Sequence, residues 1–137
     1  PPQAQLLNLA EQRLASGDAP GAQKLAQEAL NRPEEDTARA LFVLARAASL
    51  NRDMQGARTY FERTLAVARE PRVLAWSHIY LGRIFDLQEN REAALRHYRA
   101  ALAAGDSTAE TKAAAERGLQ QPYQPPVARR SEEQKNP

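Results

Sequence analysis

The chain has no cysteine among its 137 residues, which excludes disulfide bonds and thiolate metal ligands. Its six glycines stand singly, so it lacks a glycine-rich loop that could hold a phosphate group. No apolar run approaches the length of a membrane span, and no signal peptide is visible. These absences argue against a membrane protein and against several classes of enzyme.

A strong excess of either charge is also missing. The 19 basic and 17 acidic residues are interspersed and give a formal net charge of +2. A charge this small does not indicate a polyanionic partner such as nucleic acid. The length favours one domain, and a hydrophobic content of 42% is enough for a modest core.

Groups that could perform catalysis are sparse. The histidines, His78 and His97, have neither a carboxylate nor a second histidine at ligand spacing on their own predicted helices. We expect His78 to be a partly buried structural residue and His97 to lie on an outer face. The serines lie outside any nucleophile-elbow motif. We therefore predict no catalytic, cofactor or metal site, and a protein that is not an enzyme.

Residues 75–107 carry the clearest pattern in the chain, two amphipathic helices separated by a tight turn. Gly82 in the first helix and Ala94 in the second are small enough to let the two backbones approach closely. Phe85 and Tyr98 are expected to fill the space beside them. One such pair cannot bury all its apolar surface, so it should need neighbouring helices.

The same pattern occurs twice more upstream. The small residue of the second helix recurs at Ala22, Ala57 and Ala94, with spacings of 57 − 22 = 35 and 94 − 57 = 37 residues. Each of them follows, by twelve residues, a small residue of the preceding helix: Ala10, Ala45 and Gly82. Three copies at a period of about 34 residues predict a helical-hairpin repeat.

These residues resemble the tetratricopeptide repeat (TPR). The third copy matches best, with Leu81-Gly82-x2-Phe85 followed by Ala94-x3-Tyr98. It departs from the family at His78, where a tryptophan often packs. The two aromatic places hold Ala48 and Phe61 in the second copy, and Arg13 and Ala26 in the first; Asp106 stands where proline commonly ends the third unit. The resemblance implies an all-α, right-handed superhelix of about seven antiparallel helices.

The predicted organisation is one repeat domain, residues 3–119, followed by a tail. Its parts are repeats at about 3–37, 38–74 and 75–108, a capping helix at 108–119, and a proline-rich, flexible tail at 120–137. Three copies need such a cap because the last repeat would otherwise expose an apolar face.

Local signals place the helix ends. Glu34-Glu35-Asp36 is expected to form an acidic first turn of the third helix, where negative charge suits the helix dipole. Asp53 is a predicted N-cap. The fourth helix should end near Arg69, followed by a longer link, Glu70-Pro71-Arg72. Ser107 or Thr108 should cap the seventh helix.

The resemblance also implies that the first helix of each repeat lines a concave groove. In the second copy this surface would hold Arg39, Phe42 and Arg46; in the third, Trp76, Ile79 and Arg83; and in the first, Ala4, Leu7 and Glu11. Arginine binds carboxylates through paired hydrogen bonds, and tryptophan often anchors interfaces.

We predict that the groove binds a peptide or partner helix, preferably one with acidic groups. The alternative is that Trp76 and Phe42 only pack against the adjacent helix, while the arginines are solvated or pair with Glu11 and Asp86. Some TPR domains bind the C-terminal carboxylate of chaperones, but this chain lacks the required residues, having Leu7, Glu11, Val43, Trp76 and Tyr80 at the corresponding places.

Other functions remain open. The chain could be an accessory domain of a larger enzyme or secreted protein, since it opens with Pro1-Pro2 and ends in a soft tail. Its compartment is unknown, and both a cytoplasmic protein and one exported after removal of an N-terminal segment are consistent with the sequence. Single-stranded RNA binding is disfavoured by the small net charge. A homo-oligomer formed through Leu7 and Leu14 is a further alternative, as is recognition of Pro122-x2-Pro125 by a proline-binding domain.

Overall fold

The computed structural model describes residues 1–33, 36–106 and 108–126. These residues form seven α-helices and no β-strand, which confirms the all-α prediction. The helices have the following bounds: α1 Gln3–Ala15, α2 Ala19–Leu30, α3 Thr37–Leu50, α4 Met54–Val67, α5 Pro71–Leu87, α6 Arg91–Ala103 and α7 Ala109–Gln120.

Each helix packs against the next one in the chain, and the odd-numbered helices also contact one another in series. α1 touches α3, α3 touches α5, and α5 touches α7. The helices α2, α4 and α6 do not contact one another within the described ranges. The odd-numbered helices therefore form a continuous series, and each even-numbered helix packs against the two odd-numbered helices that flank it in the chain.

The turns into the three even-numbered helices, α2, α4 and α6, have the same construction. The side chains of Asp18, Asp53 and Asn90 each accept a hydrogen bond from the backbone N–H three residues later, at 2.9, 2.9 and 3.3 Å. This satisfies one of the donors that a helix start leaves without an intrahelical partner. The N-cap predicted at Asp53 is confirmed.

The residue before each of these caps has a left-handed backbone. Gly17 has φ +81°, and Arg52 and Glu89 each have φ +59°. Their spacings, 52 − 17 = 35 and 89 − 52 = 37, equal those of the sequence repeats. The three helix pairs therefore share their turn geometry as well as their apolar pattern.

Tyr98 is the largest fully buried side chain, and two glycines make room for it. A Cβ atom on Gly82 of α5 would lie 2.6 Å from the tyrosine ring, and one on Gly118 of α7 would lie 2.5 Å from it. Ala94 is also fully buried beside Tyr98 and Phe85. The predicted small-residue seam between α5 and α6 is confirmed, and α7 extends it.

Several predicted boundaries differ from those in the structure. α3 begins at Thr37 with Asp36 as its N-cap, so Asp36 is not part of the first turn; Glu34 and Glu35 lie outside the described residues. α4 ends at Val67, two residues before Arg69. The expected link at Pro71 is the start of α5, because proline suits a first helical position that needs no N–H donor.

The end of the domain also differs in detail. Thr108 occupies the N-cap position of α7, but its side chain does not cap the helix; its hydroxyl donates to Asp106 Oδ2 at 2.7 Å. The alternative cap, Ser107, lies outside the described residues. Residues 121–126 form no helix, and the rest of the predicted tail, 127–137, lies outside the described part of the chain.

Candidate functional site

Three partly buried aromatic side chains lie together where α3 meets α5. The ring of Tyr80 lies 5.7 Å from that of Trp76 and 6.1 Å from that of Phe42, measured between centroids. Beneath them, the fully buried Phe61 of α4 stacks on Tyr80 at 5.1 Å. We call Phe42, Trp76 and Tyr80 the aromatic row. It joins two predicted site residues with one that the sequence analysis left out.

Ile79 does not belong to this surface, and its prediction as a groove residue was wrong. It is fully buried with Ala101 of α6 and Ala114 and Ala115 of α7. The packing of α7 on α5 covers that side of the helix, so the exposed stripe passes through Tyr80 instead. Aromatic residues spaced four apart, Trp76 and Tyr80, were the signal that could have identified it.

The apolar residues expected on the surface of the first copy are buried too. Leu7 is 0% exposed and packs with Leu6, Ala29 and Ala40, while Leu14 is 6% exposed. Side chains this deeply buried cannot contact a second molecule. The dimer patch suggested for Leu7 and Leu14 is therefore absent from the surface.

Arg39 is held by the preceding repeat. Its Nε donates to Glu11 Oε2 at 2.9 Å, and its Nη2 donates to Asn8 Oδ1 at 2.8 Å. The hydrogen bond with Glu11 raises the pKa of the arginine. The pairing with Glu11 that was the alternative interpretation is thus present, and it links α3 to α1. Because Nε and Nη2 of Arg39 are already engaged, and Glu11 balances its charge, Arg39 is poorly placed to bind a partner.

Arg46 and Arg83 differ from Arg39 in this respect. They occupy equivalent places in successive repeats, since 83 − 46 = 37. Neither forms an ion pair with an acidic side chain in the part of the chain that the structure describes. The guanidinium of Arg83 lies 5.8 Å from the ring of Tyr80 and 5.0 Å from that of Tyr123. Arg83 thus lies beside the aromatic row, and Arg46 follows Phe42 by one helical turn; neither is matched by a carboxylate of the described residues.

Asp86, suggested as a partner for the groove arginines, has a different set of donors. Its side chain is 1% exposed, and both carboxylate oxygens accept hydrogen bonds from Arg91 Nη1 at 3.0 Å. Tyr98 Oη and the backbone N–H of Tyr123 donate to it at 2.7 and 2.9 Å. Burial and the bond to Asp86 raise the pKa of Tyr98. This network is structural: it joins α5 and α6 to the segment after α7.

The two histidines form a pair that the sequence analysis missed. His78 Nδ1 of α5 lies 3.0 Å from His97 Nδ1 of α6, and the ring of His97 stacks on Phe85 with centroids 5.4 Å apart. His78 is partly buried as predicted, but His97 is partly buried as well and not on an outer face. Burial lowers the pKa of both, and the neighbouring His78 helps to lower that of His97 to about 4. At neutral pH, one ring donates to the other.

The described residues contain no cluster of three or more histidine and acidic side chains that could hold a metal ion. Within the same ranges, no helix has both the length and the apolar character needed to cross a membrane.

A scan against models of known protein families finds no match, and a search of curated proteins finds no significant relative. The candidate site consists of the aromatic row with Arg46 and Arg83.

Proposed function

We propose that the chain is a non-enzymatic interaction module with a TPR-like, right-handed superhelical arrangement, and that it binds a peptide or partner helix carrying acidic groups. The binding surface would be the aromatic row together with Arg46 and Arg83, here named the odd-helix face. The observation that carries the proposal is the presence there of partly exposed aromatic rings with Arg83 beside Tyr80 and Arg46 one helical turn after Phe42, neither arginine being ion-paired with any acidic residue that the structure describes.

The aromatic row supplies the apolar part of such an interface. Trp76 and Tyr80 are of the residue types most enriched at binding hot spots, together with arginine. Their rings are fixed by packing on Phe61 and on the Ile79 cluster. A ligand would therefore meet a preorganised surface, and little side-chain entropy would be lost on binding.

The two arginines indicate the chemistry and spacing of the ligand. Arg46 and Arg83 stand at equivalent positions on α3 and α5, and packed helices lie about 8–10 Å apart. An extended peptide advances about 3.3 Å per residue. A strand lying across the two helices presents every second side chain to the same surface, so acidic residues two or four positions apart, roughly 7–13 Å, would be needed to meet both guanidinium groups. Arg39 would not contribute, because Glu11 already pairs with it.

The proposal can be tested by selecting binders from a displayed library of random short peptides. We expect enrichment of sequences with an apolar residue and two spaced acidic residues. Arg46→Glu should weaken binding of the selected peptides by at least about tenfold because it replaces attraction with repulsion. Trp76→Ala should weaken it to a similar degree.

The matched control is Arg99→Glu, which makes the same charge change at an exposed site on α6. It should leave the affinity within about twofold of the wild type. Circular dichroism of all variants would report folding. The proposal would be refuted if the selected peptides lacked acidic residues. It would also be refuted if they bound the wild type, Arg46→Glu and Trp76→Ala with equal affinity.

A further inference from the structure

A cavity of about 430 Å³ lies where the segment after α7 turns back towards α5. Among the described residues that line it, the charged ones are Arg83 of α5 and Arg117 of α7, and none is acidic. Gln121, Tyr123 and Gln124 form the wall contributed by the segment. A space of this size can hold a small ligand group, and its fixed charges are all positive.

Asp86 accepts hydrogen bonds from two lining residues, Tyr98 and Tyr123, but its carboxylate is already paired. Both of its oxygens accept hydrogen bonds from Arg91. A larger cleft of about 840 Å³ elsewhere provides the contrast, since Asp36 and Glu70 line it together with Arg39 and Arg69. Of these two cavities, the smaller one has basic residues and no acidic ones in the described part of its lining.

The segment also holds one of the arginines in place. The backbone N–H of Tyr123 is fixed by its 2.9 Å hydrogen bond to the buried Asp86, and the ring of Tyr123 lies 5.0 Å from the guanidinium of Arg83. The attraction between a guanidinium group and an aromatic ring acts through the face of the ring, so N–H groups of the arginine remain free to donate hydrogen bonds. Arg83 is therefore positioned beside the cavity with donors available for a ligand.

We propose that this cavity, the arginine pocket, binds a compact oxyanion, either a carboxylate or a phosphate, between Arg83 and Arg117. Guanidinium groups bind both anions through charge-assisted, paired hydrogen bonds. The pocket goes beyond the peptide-binding surface, because Arg117 and residues 121–124 have no part in the odd-helix face. Arg83 is common to both, so an acidic ligand could engage the two together.

The test uses the full chain labelled with ¹⁵N and titrated with inorganic phosphate and, separately, with glutarate, at constant ionic strength. We expect saturable shifts of the Gly118 amide and of the Nε–H signals of Arg83 and Arg117. Arg117→Gln should weaken binding by about tenfold, because it removes one charge-assisted contact. The probe that binds more tightly identifies the anion that the pocket prefers.

Arg99→Gln is the control, since it removes an exposed positive charge of α6 that does not line the pocket. Its affinity for the probes should equal that of the wild type. The proposal would be overturned if neither probe gave saturable shifts, or if Arg99→Gln weakened binding as much as Arg117→Gln. Neither result would bear on the peptide-binding proposal, because no peptide is present and Arg117 lies outside the odd-helix face. The two proposals can therefore fail separately.

Discussion

At the scale of single residues, the packing of Tyr98 depends on two glycines, which have no side chain to block its ring. The sequence pattern identified Gly82 as the place where Tyr98 could enter, because the two residues recur in register with the other copies. Gly118 could not be identified in this way, since α7 is not a copy of the repeat. In the structure both glycines contact the same ring.

Gly118→Ala should therefore destabilise the domain by about 1–3 kcal/mol, the usual cost of overpacking a core. Helix propensity alone predicts the opposite, a gain of about 1 kcal/mol for alanine over glycine. The sign of the change thus separates the two effects, and urea unfolding would measure it. In a Tyr98→Leu background the steric conflict is relieved and the substitution should be neutral or stabilising. A stabilised Gly118→Ala single variant would contradict the packing described here.

The groove residues mark the limit of prediction at this scale. The helical spacing placed Phe42, Trp76 and Ile79 on one surface, but it did not indicate which side of α5 the capping helix would cover. That depends on a tertiary contact between α5 and α7. Ile79 was therefore assigned to the surface and Tyr80 was left out, although the two residues are adjacent in the sequence.

At the scale of elements, the three equivalent turns are the most regular feature. The sequence predicted the cap at Asp53, since aspartate before a helix is a strong local signal. It did not reveal that Arg52 and Glu89 have positive φ, because neither residue type favours that conformation. Of the three equivalent turns, only the first has a residue suited to a positive φ, Gly17.

Glu89→Gly should accordingly stabilise the domain. A non-glycine residue in the left-handed region costs about 1 kcal/mol, and Glu89 is exposed, so little else is lost with its side chain. Gly17→Ala is the reciprocal change and should destabilise by a similar amount. Thermal unfolding of both variants would check the pair. An unchanged or lower melting temperature for Glu89→Gly would contradict this prediction, because it would show that the glutamate stabilises the folded chain by at least as much as its backbone strain destabilises it.

The histidine pair makes the hairpin of α5 and α6 sensitive to pH. Burial favours the neutral rings, so the pKa of His97 falls from 6.5 to about 4 and that of His78 is also lowered. The unfolded chain then binds more protons than the folded one at mildly acidic pH, and stability declines as the pH falls from about 6.5 towards 4. Nearby, Glu62 of α4 opposes this effect, and Arg58 of α4 and Arg96 of α6 add to it.

Urea unfolding between pH 7 and pH 4 would measure this dependence, with a His78→Leu/His97→Leu variant as the reference. We expect the free energy of unfolding to fall more steeply with decreasing pH in the wild type than in the variant. The remaining slope of the variant would report the carboxylates. Equal slopes would mean that the pair does not titrate in this range.

At the scale of the whole molecule, the odd-numbered helices contact one another in series, and each even-numbered helix packs against the two that flank it in the chain. The helix count and the internal repeat could be predicted because the apolar pattern recurs three times and each hairpin needs the next to bury its surface. The buried Asp86 network and the docking of Tyr123 could not, because they join residues up to 37 positions apart through contacts that no local pattern encodes.

The central claim is that the odd-helix face binds a ligand with acidic groups. Chemical-shift mapping of the ¹⁵N-labelled chain with a selected acidic peptide tests it most directly. The largest perturbations should fall on Phe42 and Arg46 of α3 and on Trp76, Tyr80 and Arg83 of α5, while the exposed surfaces of α2, α4 and α6 remain unperturbed. Largest perturbations on the even-numbered helices, or the absence of saturable binding, would contradict the claim.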